Sequence, residues 1–229
     1  MGQQATILDI PLFPLNTVLF PGMTLPLHIF EERYKRMIAV CLEQRRSFGV
    51  VLIKSGVEVG GEAIPYDVGT VARIVQAVPM ADGRYNILTQ GAARFQVLES
   101  RYQAGYITAR VELLDEEELD AHRLADLQRS VRRRFERFMA ELIAVTEAKL
   151  EPLRLPAEPT AASYYVAAHL PLDQWEKQRL LEATSTDVRL LEERRILGRE
   201  RDLLRRFATA VPPYPTGEDE DGHIRLSPN

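Results

Sequence analysis

A change of hydrophobic period near Asp115 constrains this chain more than any other feature. Up to about Leu114, short apolar stretches are broken by turn chemistry, as in β-strands. Beyond it, apolar residues recur every three or four positions, as on helices. An α+β architecture follows. It has a strand-built part over residues 1–114, a helical part over 115–211, and a final segment, 212–229, whose prolines and acids predict a disordered tail.

Several local elements are specific. Phe20-Pro21-Gly22-Met23 puts proline and glycine at the centre of a type II turn. Asp82-Gly83 sits between Val71 to Met80 and Tyr85 to Gln90, where a tight hairpin belongs. Tyr106 to Leu113 alternates Ile107, Ala109, Val111 and Leu113 against Thr108, Arg110 and Glu112, the signature of a strand with one buried face. One helix interrupts the strands, because Tyr34, Met37, Ile38, Cys41 and Leu42 fall on a single stripe. Glu31 and Glu32 at its start and Arg45 and Arg46 at its end suit the helix dipole. Cys41 lies on the stripe and reads as a core residue, since a reactive thiol needs an electropositive, partly exposed setting.

In the second half a long helix runs from Glu116 to about Leu150, and Pro152, Pro156 and Pro159 break the chain after it. Helices near Ala161 to Leu170, Leu172 to Ala183 and Thr186 to Phe207 supply the partner its apolar stripe needs, giving a bundle. Leu190, Leu197 and Leu204 read as an intramolecular seam. Arg132, Arg133 and Arg134, with Arg129 and Arg137 nearby, fan around the helix and predict a solvated charged face. Asp115 to Glu118 reads as a charge cluster at the helix N-terminus.

Composition removes most chemistries. The 229 residues are 45% hydrophobic and carry a net charge of −4, which suits a globular protein with no general attraction to nucleic acid. The first 114 residues, with 11 basic and 10 acidic side chains, have no marked basic bias either. DNA and a membrane are therefore not expected as partners, and RNA is disfavoured. The longest apolar runs, Met37 to Leu42 and Phe48 to Ile53, fall far short of the roughly 20 residues a membrane span needs. With no leader visible, a cytoplasmic location is the expectation. Cys41 is the only cysteine, which excludes an intrachain disulfide. No GxxxxGK[ST], GxSxG, HExxH or SxxK motif occurs, and His28, His122, His169 and His223 share no metal-ligand spacing. No catalytic residue, cofactor or metal site is expected.

The segment PLFPLNTVLFPGMTLPLHIFEERY, Pro11 to Tyr34, resembles the opening of the N-terminal domain of the ATP-dependent protease Lon. The resemblance continues through FGVVLI at Phe48, YDVGTVARIVQ at Tyr66, DGRYNILTQGAARFQV at Asp82 and KQRLLE at Lys177, and runs from Ile7 to about Phe207. It implies a PUA-like, mostly antiparallel β pseudo-barrel followed by an α-helical bundle. In Lon such a domain precedes ATPase and Ser-Lys peptidase modules and helps recognise substrate polypeptides. Neither module is found in this sequence, so the chain is similar to a stand-alone, non-catalytic bacterial version. The implied partners are unfolded or partner polypeptides, in protein quality control, with a separate ATP-dependent protease as a further one. The alternative is an RNA-binding PUA-like module.

A polypeptide-binding surface needs adaptable apolar side chains beside the core. Phe13, Phe20, Met23, Leu25 and Phe30 in the first block supply them, with Met80 before the hairpin turn. Alternation sends Leu25 and Leu27 to one face and His28 to the other, so part of this set belongs to the core. Phe20 and Met23 flank the Pro-Gly turn and are the best candidates for exposure. Changing both to serine is expected to weaken client capture without unfolding the domain.

Overall fold

The computed structural model describes residues 5–59, 63–116, 121–146 and 154–210. Strands β1 (Ile7–Leu15), β2 (Thr24–Ile29), β3 (Phe48–Gly56), β4 (Ala63–Pro79), β5 (Tyr85–Gln103) and β6 (Tyr106–Leu113) form one sheet in the order β2-β5-β4-β3-β1-β6. β6 returns to pair with β5, closing a pseudo-barrel that leaves β2 outside the ring. β5 achieves this by changing partner along its length: Tyr85 to Gln90 pairs with β2, and the stretch from Phe95 onward pairs with β6. Register shifts at Thr70/Ala72, Ile74/Gln76 and Val97/Glu99 mark irregularities of the kind that bend and twist strands. Among the described residues only β1 and β3 pair in parallel, and parallel strands require a crossover. Helix α1 (Glu32–Glu43) lies in that crossover, which is why one helix interrupts the strands.

Inside the barrel, Leu12, Val51, Val71 and Val111 surround Phe95. The Phe95 ring fills the space where Gly49 and Gly69 lack side chains; a Cβ on Gly69 would stand 2.6 Å from it. A second core lies under α1, where Met37, Ile38 and Cys41 meet Phe48, and Phe13 packs on Tyr34 at 4.1 Å between rings. Burial pushes the Cys41 thiol up to about 11, so it behaves as a small apolar residue. The helix ends at Glu43 and Arg45 takes the left-handed conformation (φ 51°), so Arg45 and Arg46 lie past its last turn.

Helices α2 (Ala121–Thr146), α3 (Pro159–His169), α4 (Gln174–Glu182) and α5 (Thr186–Ala210) follow. The helix expected over 116–150 is thus described as α2; 117–120 and 147–153 lie outside the described residues, as does the segment 212–229. α2 and α5 run side by side in the same direction: Glu116, before α2, meets Arg189 near the start of α5, and Glu141 meets Arg201 near its end. Leu190 and Leu197 are buried and Leu204 is partly buried, an intramolecular seam. The third core joins both halves, with Val18, Phe20, Leu52 and Val68 from the strand part packed among Val131, Phe135, Tyr164 and Leu190. No helix among the described residues is long and apolar enough to cross a membrane.

Polar groups also cross this junction. Arg94 on β5 is 2% exposed and donates through Nη1 to the carbonyls of Leu181 (2.9 Å) and Ala183 (2.6 Å), while Nη2 reaches Glu116 at 2.9 Å. Glu116 also accepts from the Tyr164 hydroxyl, from Thr186 Oγ1 at 2.9 Å and from Arg189 Nη2 at 3.2 Å. The reading of Glu116 as part of a charge cluster at the helix N-terminus is thereby corrected: it is a hub between barrel and bundle. Burial pushes its carboxyl up, but Arg189, the Tyr164 hydroxyl and Arg94 outweigh burial and hold it below the ordinary range.

Glu193, one turn beyond Arg189 on α5, is fully buried, and neither of its carboxyl oxygens has a hydrogen-bond partner among the described residues. Burial holds this carboxyl well above its ordinary range, against the pull of Arg189. A raised folded value favours the fold below the unfolded value of about 4.3 and withdraws that support as pH rises through the folded one. Glu193→Gln is therefore expected to leave stability nearly unchanged near pH 5 and to raise it by about 1–3 kcal/mol in mildly alkaline solution. Urea midpoints at the two pH values read this; an equal gain at both would show that ionisation of Glu193 is not the cause.

Candidate functional site

The turn at residues 20–23 forms as its proline and glycine dictate: Met23 N donates to Phe20 O at 3.0 Å and Gly22 has φ 81°. It docks on β5, with Gly22 N donating to Gly91 O and Gly91 N to Met23 O, both at 2.9 Å. A Cβ on Gly91 would strike the Phe20 carbonyl, so glycine is what lets the turn sit this close. Opposite the turn stands α3, capped by the Glu158 carboxylate, which accepts from Thr160 N (2.8 Å) and Ala161 N (2.5 Å), with Pro159 in the first turn. Tyr165 on its outer face stacks on His169 at 4.1 Å and meets Phe135 edge-on at 6.4 Å. Pro156 forms a third wall, held to α2 by Arg132, whose Nη2 donates to Pro156 O at 2.6 Å.

Between these parts lies a cleft of about 390 Å³, walled by Pro21, Met23, Pro156, Ala161, Tyr164, Tyr165, Ala168 and His169. Its size is within the range of ligand pockets, and its walls suit an aliphatic or aromatic side chain. Methionine adapts its shape to different occupants, and tyrosine adds a rigid face. A larger opening of about 470 Å³ beside α1 and β6 is more mixed, with Asp9, Arg46, Glu99, Arg101 and Arg110 set among apolar residues such as Ile10, Pro11 and Val40.

The six residues singled out from the sequence do not form one surface. Met23 is partly buried and lines the cleft. Phe20 is 0% exposed, its ring 6.3 Å from that of Tyr164 in the junction core, which corrects the expectation that it is exposed. Residues on either side of a reversal point in unrelated directions, and this one points inward. Phe13 is buried against Tyr34 and is likewise core. Leu25 and Leu27 are partly buried against the core under α1, and His28 is exposed, as alternation requires. Phe30 (48% exposed) and Met80 (36%) lie at the far end of β2 and at the hairpin turn. A six-residue strand separates Phe30 from the cleft, roughly 20 Å.

Sequence reasoning missed Tyr165, Ala168, His169 and Pro156. Ala161, Tyr165 and Ala168/His169 recur at helical spacing, a second face of α3 that was legible as a pattern but had no assigned role. Arg132 was read as part of a solvated face. Arg133 and Arg134 are indeed exposed and Arg129 pairs with Asp126, yet Arg132 holds Pro156 in place.

Residues 9–199 match the sequence model of the ATP-dependent protease La (LON) substrate-binding domain. Lon protease of Anaeromyxobacter dehalogenans is 30% identical over 202 residues, covering 86% of this chain and 24% of that protein. Lon protease 2 of Syntrophobacter fumaroxidans is 34% identical over 180 residues, 76% of this chain and 22% of that protein. The chain thus spans about a quarter of the length of these relatives. Among solved structures, the Lon N-terminal domain protein from Xanthomonas campestris superposes with a TM-score of 0.59 at 28% identity, over 81% of this chain and 96% of that one. The N-terminal domain of Mycobacterium avium complex Lon protease shares the fold at 16% identity, also with a TM-score of 0.59, over 85% of this chain and 98% of that one. The matched segment takes in barrel and bundle alike, and the chain belongs to the Lon substrate-binding domain family.

Proposed function

We propose that this domain binds apolar stretches of unfolded polypeptide in the cleft between the Pro-Gly turn and α3, and performs no chemistry on them. The observation that carries this reading is the cleft itself: an adaptable methionine facing a braced tyrosine across an apolar gap. Membership of a family described by substrate binding supports the same reading. The polypeptide held here is handed to an ATP-dependent protease, in cytoplasmic protein quality control. One shallow site must offset the ordering of a flexible client, so dissociation constants in the micromolar range or weaker are expected.

Met23→Ser and Tyr165→Ala test the reading separately. Each is expected to weaken binding of fluorescently labelled, reduced and carboxymethylated α-lactalbumin by about five- to tenfold, while the thermal midpoint falls by only a few degrees. Unchanged affinity in both variants would remove the cleft from the account.

A further inference from the structure

β2 is an edge strand: it pairs with β5 and, among the described residues, with no strand on its other side. The direction of its backbone groups follows from the turn before it. Met23 O accepts from Gly91 N, so in the antiparallel ladder Leu25, Leu27 and Ile29 turn their N–H and C=O groups toward β5. Thr24, Pro26 and His28 then turn theirs outward, and all are exposed residues. Thr24 and His28 each present a donor and an acceptor to solvent, and Pro26 presents an acceptor alone. A proline is tolerated here because its missing N–H is one that β5 does not use.

We infer that this edge takes an extended polypeptide as an added strand, which deepens the proposed function and rests on it. The outward groups form a ladder of peptide donors and acceptors, and its chemical complement is another extended backbone. The ladder also leads into the candidate site, because Thr24, its first rung, lines the cleft beside Met23. A client paired along β2 is therefore carried to the lip of the cleft, where one of its apolar side chains enters. Backbone pairing supplies affinity independent of sequence, and the cleft selects an apolar residue near one end.

A second copy of this chain fits the edge less well than a foreign strand. In a two-fold antiparallel pairing of β2 with itself, Thr24 faces His28 and Pro26 faces Pro26. The central pair then has no donor on either side, and two pyrrolidine rings abut. A client strand loses only the one bond that Pro26 cannot give. Pro26 thus acts against self-association while leaving client pairing largely intact.

A soluble peptide of alternating leucine and serine is the probe, compared with versions N-methylated on the leucine amides or on the serine amides. Strand addition predicts that methylation of one set weakens binding more than about tenfold and that methylation of the other changes it less than about twofold, because alternate amides face opposite edges. His28→Pro removes an outward donor and should bind about fivefold more weakly than His28→Ala, which keeps it. Equal loss from both methylated sets, or loss from neither, overturns strand addition. If Met23→Ser still weakens binding in that case, the cleft reading survives alone. If the unmodified peptide does not bind at all, both readings fall.

Discussion

Arg94→Ala is expected to destabilise the protein by about 3–5 kcal/mol and to loosen the bundle from the barrel. Arg94 reaches from β5 to the end of α4, where Leu181 and Ala183 have carbonyls that the helix itself cannot satisfy. Its guanidinium also neutralises part of Glu116. Alanine leaves buried acceptors unpaired and a carboxylate short of a cation. Arg94→Lys keeps the charge but loses the planar fork that serves several acceptors at once, and should fall between wild type and alanine. The sign of the pH dependence is set by Glu116. Its folded value lies below the unfolded one, so its contribution is present above about pH 4.3 and is lost as pH falls through the folded value. The gap between wild type and Arg94→Ala should therefore be widest near neutrality and narrow in acid. Urea unfolding across that range measures it, and a loss below about 1 kcal/mol at neutral pH would contradict the bridging role.

Phe20→Ser should cost about 3–5 kcal/mol, whereas Met23→Ser should cost about 1 kcal/mol, although the two residues flank the same turn. The Phe20 ring is fully enclosed by the junction core, and serine would leave both a cavity and a buried hydroxyl there. Met23 is partly exposed and is surrounded on one side by the cleft. A double serine variant would lose client binding because it unfolds, so it cannot report on the surface. Thermal denaturation of the two single variants separates the cases. Similar losses for both would place Met23 in the core as well and weaken its role as a binding residue.

Elements whose evidence is local were legible in the sequence. The alternation of β6, the Asp82-Gly83 hairpin, the stripe of α1 with Cys41, and the Leu190 and Leu197 seam each depend on residues within a few positions of one another. Closure of the barrel was not legible from periodicity, because it depends on β5 leaving β2 for β6 partway along, a choice made by distant partners. The fates of Glu116 and Arg132 were hidden for the same reason. Locally one is a helix-end acid and the other one of several arginines, and only the fold brings Glu116 to Arg94 and Arg189 and Arg132 to Pro156. Alternation also fails at a reversal, so it assigned Leu25 and His28 to their faces and could not separate Phe20 from Met23. The cleft is built from the turn, the Pro156 segment and α3, and of the six residues that sequence reasoning singled out only Met23 is among its walls.

The methionines provide the most direct test of the cleft. There are five in the chain: Met37 and Met139 are buried, Met23 lines the cleft, Met80 sits at the hairpin turn and Met1 lies outside the described residues. Methyl NMR of methionine-labelled protein, titrated with reduced and carboxymethylated α-lactalbumin, would report on these environments in one spectrum. A saturable shift of the Met23 methyl, with Met37, Met139 and Met80 unmoved, is the result the cleft predicts. A shift of Met80 with Met23 unmoved would move binding to the hairpin end of the sheet and contradict it.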